Sequence, residues 1–332
     1  MAKTLTRTIT GRQAIIEAIR EEMRADPKII LYGEDVGKFG GVFGTTAGLY
    51  EEFGSDRVFD TPVTETTIIG SALGLALTGM RPIVELQFAD FVDIAMDEIA
   101  NKLGKWRYMH GGEFFKVPVT VRLPMGILGG AGPEHSQCPY ATFLHKPGLQ
   151  VVVPSSPLEL KGLLKTAIRE DNPTLFFEHK LLYDFKEEVS ISEDFTLPFG
   201  QAAIKRNGDD VTIFAVSYMV HVALEAAKEL EKQGIQAEVI DPRTLVPLDK
   251  KTLLESVKKT GRILIVHEEP TRGGSGAEIA AIIAEEAIYD LKAPVKRLGG
   301  PNVPIAQSAY LEQYYRPNVK QIVQEVQNLM AY

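Results

Sequence analysis

The sequence predicts an α/β protein of two domains, each a mostly parallel sheet layered between helices, and three observations predict it. Short apolar runs such as Ile29-Ile30-Leu31-Tyr32, Val211–Val216 and Ile263–His267 have the length and continuous hydrophobicity of strands buried on both faces. Helical patterns of ten or more residues alternate with them, as right-handed parallel crossovers require. At 332 residues the chain is long enough for two cores. Periodicity lapses between Lys180 and Pro198, a polar stretch containing Lys186-Glu187-Glu188 and Ser192-Glu193-Asp194. That lapse predicts a first domain over residues 1–185, a linker over 186–199 and a second domain over 200–332.

Thr10-Gly-Arg-Gln13 reads as a capping box that opens a helix to about Met23, with Ala14, Ile15, Ala18 and Ile19 on one side. Asp26-Pro27 ends it, and the Ile29–Tyr32 strand leads to Gly33, Glu34 and Asp35. Phe39-Gly40-Gly41-Val42-Phe43-Gly44 follows as a glycine-rich loop before a short helix near Ala47–Phe53. Its spacing matches neither common phosphate-binding fingerprint, so it reads as the rim of an interface or active site. Arg57–Phe59 is a short strand. Pro62 pushes Thr61 out of the helical region, and Thr64 then N-caps a helix with Glu65 in its first turn. From Ile68 to Leu77 that helix is apolar or small on every side, which predicts burial. Gly70 and Gly74 would admit another backbone closely. A carboxylate heading a buried helix either complements the helix dipole or holds a proton for chemistry.

Pro82–Phe88 is a strand and Ala89–Asn101 a helix carrying Phe91, Ile94, Ala95 and Ile99. Lys102, Lys105 and Arg107 beside Trp106 and Tyr108 read as a protein interface. The Val117–Leu123 strand runs into Gly126–His135, where four glycines let the backbone pass near a ligand. His135 then stands at a strand's C-terminal end, where open α/β sheets bind ligands. Its titration near neutrality suits proton transfer. Leu149–Val153, the helix Pro157–Glu170 behind Ser155 or Ser156, and Thr174–Glu178 complete the first domain. In the second, strands at Val211–Val216, Ala237–Ile240, Ile263–His267 and Val295–Leu298 alternate with helices. These helices are His221–Gln233, Lys250–Lys258 capped from Asp249, Ser275–Leu291 and Pro317–Met330.

The chain carries 36 basic and 44 acidic residues, a net charge of −8 that argues against nucleic acid as a partner. One cysteine, Cys138, rules out an internal disulfide framework and fits a reducing compartment. Neither it nor the histidines show metal-ligand spacing. No apolar run reaches the roughly 18 residues of a membrane span, and the N-terminus lacks a signal-peptide core. A cytoplasmic, soluble protein with no membrane partner is expected.

Asp60-Thr-Pro-Val-Thr-Glu65, Arg81-Pro82-Ile83-Val84-Glu85-Leu86-Gln87-Phe88 and Glu134-His135-Ser136-Gln137 carry a resemblance that runs in order from about residue 10 to 325. They resemble the beta subunit of the thiamine-diphosphate-dependent decarboxylating component of 2-oxo acid dehydrogenase complexes. The resemblance implies a pyrimidine-binding domain followed by a transketolase C-terminal-like domain. It implies oxidative decarboxylation and transfer of the acyl group to a lipoyl-lysine of an acyltransferase. Glu65 would hydrogen-bond the ring nitrogen of the aminopyrimidine and so favour the tautomer that takes the thiazolium proton. Phe91 would pack on the pyrimidine face, with Gln87 one helical turn before it. His135 would donate a proton to the acyl acceptor or orient the substrate carboxylate.

Thiamine enzymes anchor the diphosphate through Mg2+ held by oxygen ligands of a Gly-Asp-Gly motif and a later Asn. This chain has Gly33-Glu-Asp and Gly208-Asp-Asp but no Gly-Asp-Gly. The resemblance therefore implies that an alpha subunit holds the Mg2+ and the diphosphate half, in an alpha2beta2 heterotetramer bound to the lipoyl acyltransferase core. It also implies a potassium ion held mainly by backbone carbonyls at Val119, Ala167, Ile168, Glu170 and Asn172. Pyruvate is the first expected substrate, with branched-chain 2-oxo acids and acetoin as alternatives. Gln87-Phe88-Ala89-Asp90 looks more like the branched-chain type, and the second domain more like the pyruvate and acetoin types. A scaffold that only docks the acyltransferase core is the reading of another class, and it would need none of Glu65, Phe91 and His135.

Overall fold

Strands form where the chain is apolar on both faces, and in the computed structural model, which describes residues 5–112 and 115–332, they fall into two units. One unit runs to Met125 and resumes over Thr142–Phe199. Its strands are β1 (Thr6–Thr10), β2 (Ile29–Gly33), β3 (Val58–Asp60), β4 (Arg81–Glu85), β5 (Thr120–Met125), β6 (Gln150–Val152), β7 (Thr174–His179) and β8 (Lys186–Ser190). Strands β6-β7-β5-β4-β2-β3 lie side by side and parallel. Register sets Gly33 opposite both Asp60 and Glu85, and Glu85 opposite Arg122. The C-terminal ends of β2, β3 and β4 thus form one edge.

The expected capping box opens the helix Gly11–Ala25: Thr10 accepts from the Gln13 N–H, and Gln13 reaches back. This helix buries Ala14, Ile15, Ala18 and Ile19 and packs on the helix Pro157–Arg169, whose N-cap is Ser156.

Four expectations need correction in this unit. Lys186–Ser190 is a strand rather than linker, pairing antiparallel with β1 from Thr6↔Ser190 to Thr10↔Lys186. A half-exposed two-stranded ribbon needs no continuous apolar run, so both strands are polar and neither was evident. The single helix expected over Ala89–Asn101 is instead a 3-10 turn at Ala89–Asp93, a π-helical stretch at Glu98–Leu103 and a short α-helix at Gly104–Met109. Strand β4 ends at Glu85, so Gln87 lies in the irregular segment before that turn and not one helical turn from Phe91. Finally, the helix Glu65–Leu77 buries only one side, through Glu65, Ile68, Ile69, Ala72, Leu73 and Ala76. Thr66, Thr67, Ser71, Gly74 and Leu77 are exposed, an open face without charged residues.

The second unit comprises Gly126–Ala141 and Gly200–Tyr332. The glycine-rich loop with His135 packs with this unit, although in sequence it lies within residues 1–185, the expected first domain. Its strands are β9 (Ala203–Arg206), β10 (Val211–Ala215), β11 (Ala237–Asp241), β12 (Thr244–Val246), β13 (Ile263–Pro270) and β14 (Lys296–Gly300). The order β14-β13-β10-β11-β9 is parallel except for the edge strand β9. The helices Met219–Glu231 and Val319–Met330 bury Val220, Ala223, Leu230, Ile322 and Val326 in a core with β10, β11 and β13. Asp249 caps Lys250–Thr260 by accepting the Thr252 N–H. Gly208-Asp209-Asp210 is a structural turn: a Cβ on Gly208 would lie 2.3 Å from the Ala237 carbonyl carbon, and Asp210 accepts the Gln236 N–H at 2.6 Å. Among the described residues no helix is long and apolar enough to cross a membrane.

Candidate active site

Glu34 and Asp35 follow β2, Thr64 and Glu65 follow β3, and Gln87 follows β4, so these residues gather at the carboxyl ends of neighbouring parallel strands. Glu65 is the first residue of its helix and only 6% exposed. Its N-cap Thr64 makes no side-chain cap and donates instead from Oγ1 to Thr67 Oγ1 at 2.9 Å. The Thr64 N–H donates to the carboxylate of Glu34, itself 7% exposed. Burial first, then the charges of Glu65 and Asp35, push the Glu34 pKa above the usual carboxylate value, against the Thr64 hydrogen bond. Two buried carboxylates thus share one helix end, and Glu34 takes the place of the dipole-complementing acid.

Asp35 sits in the left-handed region, φ +56°. Its carbonyl accepts the Gly41 N–H at 2.8 Å, and its carboxylate accepts Gln87 Nε2 at 3.2 Å. The glycine-rich loop turns back here through Gly40 and Gly41, both at positive φ, and a Cβ on Gly40 would lie 3.0 Å from Ala47 Cα. That turn delivers Phe43. Its ring meets Phe88 edge-on at 5.6 Å, and Phe88 meets Phe91 edge-on at 5.7 Å. Lys180 Nζ stands 5.0 Å from the Phe88 ring and 6.0 Å from Phe43. The sequence singled out Gln87 and Phe91 here but not Phe43 or Lys180, which arrive from distant segments.

Beneath this edge lies a fully buried ionic group. Arg122 holds Glu178 with two parallel hydrogen bonds, Nε to Oε1 at 2.7 Å and Nη2 to Oε2 at 2.8 Å, and its Nη1 donates to Glu85 at 2.5 Å. The Tyr183 hydroxyl donates to Glu178 at 3.0 Å, and the Tyr183 ring packs 5.6 Å from Phe43. Burial pushes the Glu85 pKa up against the pull of Arg122. The Arg in the otherwise apolar β5 was a signal for this group, since an unpaired buried guanidinium is too costly to keep.

His135 is half-buried in the loop Gly126–Ala141, and its N–H donates to Gly132 at 3.4 Å. Glu65, Gln87 and Phe91 lie in the first unit and His135 in the second.

At the expected potassium position, Val119 O accepts the Thr174 N–H at 2.9 Å. Arg81 donates to Ile168 O at 3.0 and 2.8 Å and to Glu170 O at 2.5 Å, and it pairs with Asp171 at 3.0 Å. Asn172 Oδ1 accepts from Arg107. Arg81 thus places a positive charge beside the Ile168 and Glu170 carbonyls.

Two family models match the chain: the transketolase pyrimidine-binding domain over residues 7–186 and the transketolase C-terminal domain over residues 200–322. The 2-oxoisovalerate dehydrogenase subunit beta of Bacillus subtilis is 44% identical over 320 residues, 96% of this chain and 98% of its own length. The pyruvate dehydrogenase E1 component subunit beta of the same organism is 44% identical over 329 residues, 98% of this chain and 99% of its own. The acetoin:2,6-dichlorophenolindophenol oxidoreductase subunit beta, also of B. subtilis, is 43% identical over 339 residues, 98% of each chain. A solved structure described as split gene transketolase, inactive beta4 tetramer, aligns with a TM-score of 0.81 at 27% identity, covering 97% of this chain and 99% of that one.

Proposed function

Because the chain belongs to the transketolase-like, thiamine-diphosphate-dependent family, among the beta subunits of 2-oxo acid dehydrogenases, we propose that it is the cofactor-activating half of a pyruvate dehydrogenase. The observation that carries this reading is the pair of buried carboxylates at one helix end. Glu34 occupies the capping position, which leaves Glu65 for another partner. Thiamine diphosphate, when bound, supplies the electron sink for loss of carbon dioxide. Glu65 would hydrogen-bond the pyrimidine ring nitrogen, and its burial would keep water from that contact. Phe91 would pack on the ring face, and Gln87, which donates to Asp35, would line the same pocket. His135 passes a proton to the acyl acceptor or orients the substrate carboxylate.

The reading includes an alpha subunit that holds Mg2+ and the diphosphate in a cytoplasmic alpha2beta2 tetramer, and docking to a lipoyl acyltransferase core. The absence of Gly-Asp-Gly supports it, as does a similar chain described as an inactive beta4 tetramer. Calorimetry with Mg2+ and thiamine diphosphate should give binding only with the alpha subunit present. Tight binding to this chain alone would contradict the shared site.

The substrate rests on a finer comparison. Relatives of near-equal identity are named for 2-oxoisovalerate, pyruvate and acetoin. Carbon dioxide release by the reconstituted pair should be fastest with pyruvate, and a preference for 3-methyl-2-oxobutanoate would move the chain to the branched-chain type.

A further inference from the structure

The loop that carries His135 is held at three backbone positions by carboxylates. Glu268 Oε1 accepts the Ile127 N–H at 2.8 Å, Glu312 Oε2 the Gly130 N–H at 2.8 Å and Glu269 Oε1 the Ala141 N–H at 2.8 Å. Gly126 N–H closes the base of the loop on Gln137 O at 3.1 Å. All three acids are buried, at 4%, 3% and 2% exposure. Gly130 must be glycine: its φ is +87°, and a Cβ there would lie 2.8 Å from Gln307 O. The loop also lines a cavity of about 500 Å³ with Asn302, Ile305 and Tyr315, so space exists for it to shift into once released.

Carbonyl oxygens could accept these N–H groups without the desolvation that a buried carboxylate suffers. Charged acceptors give the stronger hydrogen bond, and here they stand at both ends of one functional loop. We infer that Glu268, Glu269 and Glu312 are positioning residues that hold the Gly126–Ala141 loop in the form that presents His135. The inference rests on the reading of His135 given above.

Glu269 is the most telling of the three. Its second oxygen accepts the Ser275 N–H at 2.9 Å and the Ser275 hydroxyl at 2.7 Å, so donors face both oxygens. The Ser275 N–H, the Ser275 hydroxyl and the Ala141 N–H all favour the carboxylate form of Glu269, in which these hydrogen bonds are strongest. Burial pushes its pKa up to about 7. The other ionisable groups around it are His267 at 3.6 Å, Glu268, Tyr140, Tyr315 and Cys138, with Arg316 3.9 Å from Glu268 and Arg297 acting on His267. Burial keeps His267 neutral and holds both tyrosines protonated, whereas Glu269 changes charge near neutrality. Ionisation of Glu269 as pH rises through 7 strengthens its hydrogen bond to the Ala141 N–H, while its burial still costs the fold stability.

The test uses the complex reconstituted with its alpha subunit and three variants, Glu269→Gln, Glu312→Gln and His135→Asn. Hydrogen exchange of the Gly126–Ala141 amides should quicken about tenfold or more in either Glu variant. Acyl transfer to lipoamide should fall roughly 10- to 100-fold relative to decarboxylation coupled to 2,6-dichlorophenolindophenol, the scale of a small misplacement of a reacting group. In Glu269→Gln the acid limb of that ratio near pH 7 should vanish. Adding Glu269→Gln to His135→Asn should cause no further loss, because residues acting through one another are not additive. Unchanged loop exchange in both Glu variants, or additive losses in the double variant, would overturn the clamp. If His135→Asn alone leaves both rates intact, the reading of His135 fails, and the exchange experiment still decides the clamp.

Discussion

Glu34 and Glu65 reach the same helix end from successive strands, and the Glu65 carboxylate disfavours the charge of Glu34. Glu34 keeps the Thr64 N–H hydrogen bond, yet its pKa lies above the ordinary value. For an acid raised in the folded state, the stability it contributes is fully present below its ordinary pKa and is lost as pH rises through the folded one. Glu34→Gln retains an acceptor for Thr64 and removes the repulsion. Urea denaturation at pH 8 should show the variant more stable by a few tenths to about 1 kcal/mol, the scale of a charge at a helix end. A loss at pH 8 would mean that the Glu34 charge is favoured where it stands.

Arg122 lies between Glu85 and Glu178 with no exposure. Arg122→Met leaves two buried carboxylates without their counter-charge, and removal of one partner from such a group costs about 3–5 kcal/mol. Adding Glu178→Gln should return part of that loss. A cost below about 1 kcal/mol in urea would show that water reaches the group.

His267 and Glu269 should give the second unit opposite pH slopes that nearly cancel. The Glu269 pKa rises from 4.5 to about 7, so its contribution is full below 4.5 and lost as pH climbs through 7. The His267 pKa falls from 6.5 to about 4, so its contribution is full above 6.5 and lost as pH falls through 4. Between pH 4.5 and 6.5 each supplies a slope of up to about 1.4 kcal/mol per pH unit, with opposite signs. Glu269→Gln should unmask stability rising with pH in that window, and His267→Asn stability falling with pH. Equal slopes in the two variants would refute the assignment. The His267 site is tight, since Cβ atoms on Gly274, Gly276 and Gly299 would all lie within 2.8 Å of the ring.

The open face of the Glu65–Leu77 helix predicts a partner. A Cβ on Gly74 would meet nothing within 4 Å in this chain, whereas one on Gly70 would meet the Glu98 carboxylate at 3.2 Å. Gly74→Leu should therefore leave the chain's own stability unchanged or slightly higher, since Gly is a poor helix former. Overpacking at a contact costs about 1–3 kcal/mol, so association of the complex should weaken about tenfold or more in sedimentation. Unchanged assembly would place that face outside the subunit contacts.

The strands and helices were legible because parallel sheets buried on both faces write themselves as apolar runs, as at Ile29–Tyr32 and Ile263–His267. Capping residues fixed helix starts at Thr10, Ser156 and Asp249. What escaped the sequence depends on tertiary context. Strand β8 is polar because its ribbon is half exposed, and the turn sequence of 3-10 and π geometry after Ala89 keeps an apolar pattern that mimics a regular helix. At the site, Glu65, Gln87, Phe91 and His135 stood out by motif, whereas Glu34's role requires knowing that β2 and β3 are neighbours. The carboxylates that hold the His135 loop are more than 120 residues distant in sequence, and no local pattern announces them.

Glu65 is proposed to activate the cofactor rather than only to head a helix. Glu65→Gln keeps size and hydrogen-bonding reach but cannot share a proton with the pyrimidine nitrogen. The direct measurement is exchange of the thiazolium proton, with decarboxylation, in the variant complex reconstituted with the alpha subunit. Folding and assembly should be normal, with both rates down roughly 10²–10⁴-fold, the usual worth of a positioned proton donor. Full activity, with at most a change of about 1 kcal/mol in stability as a helix-end role implies, would contradict it.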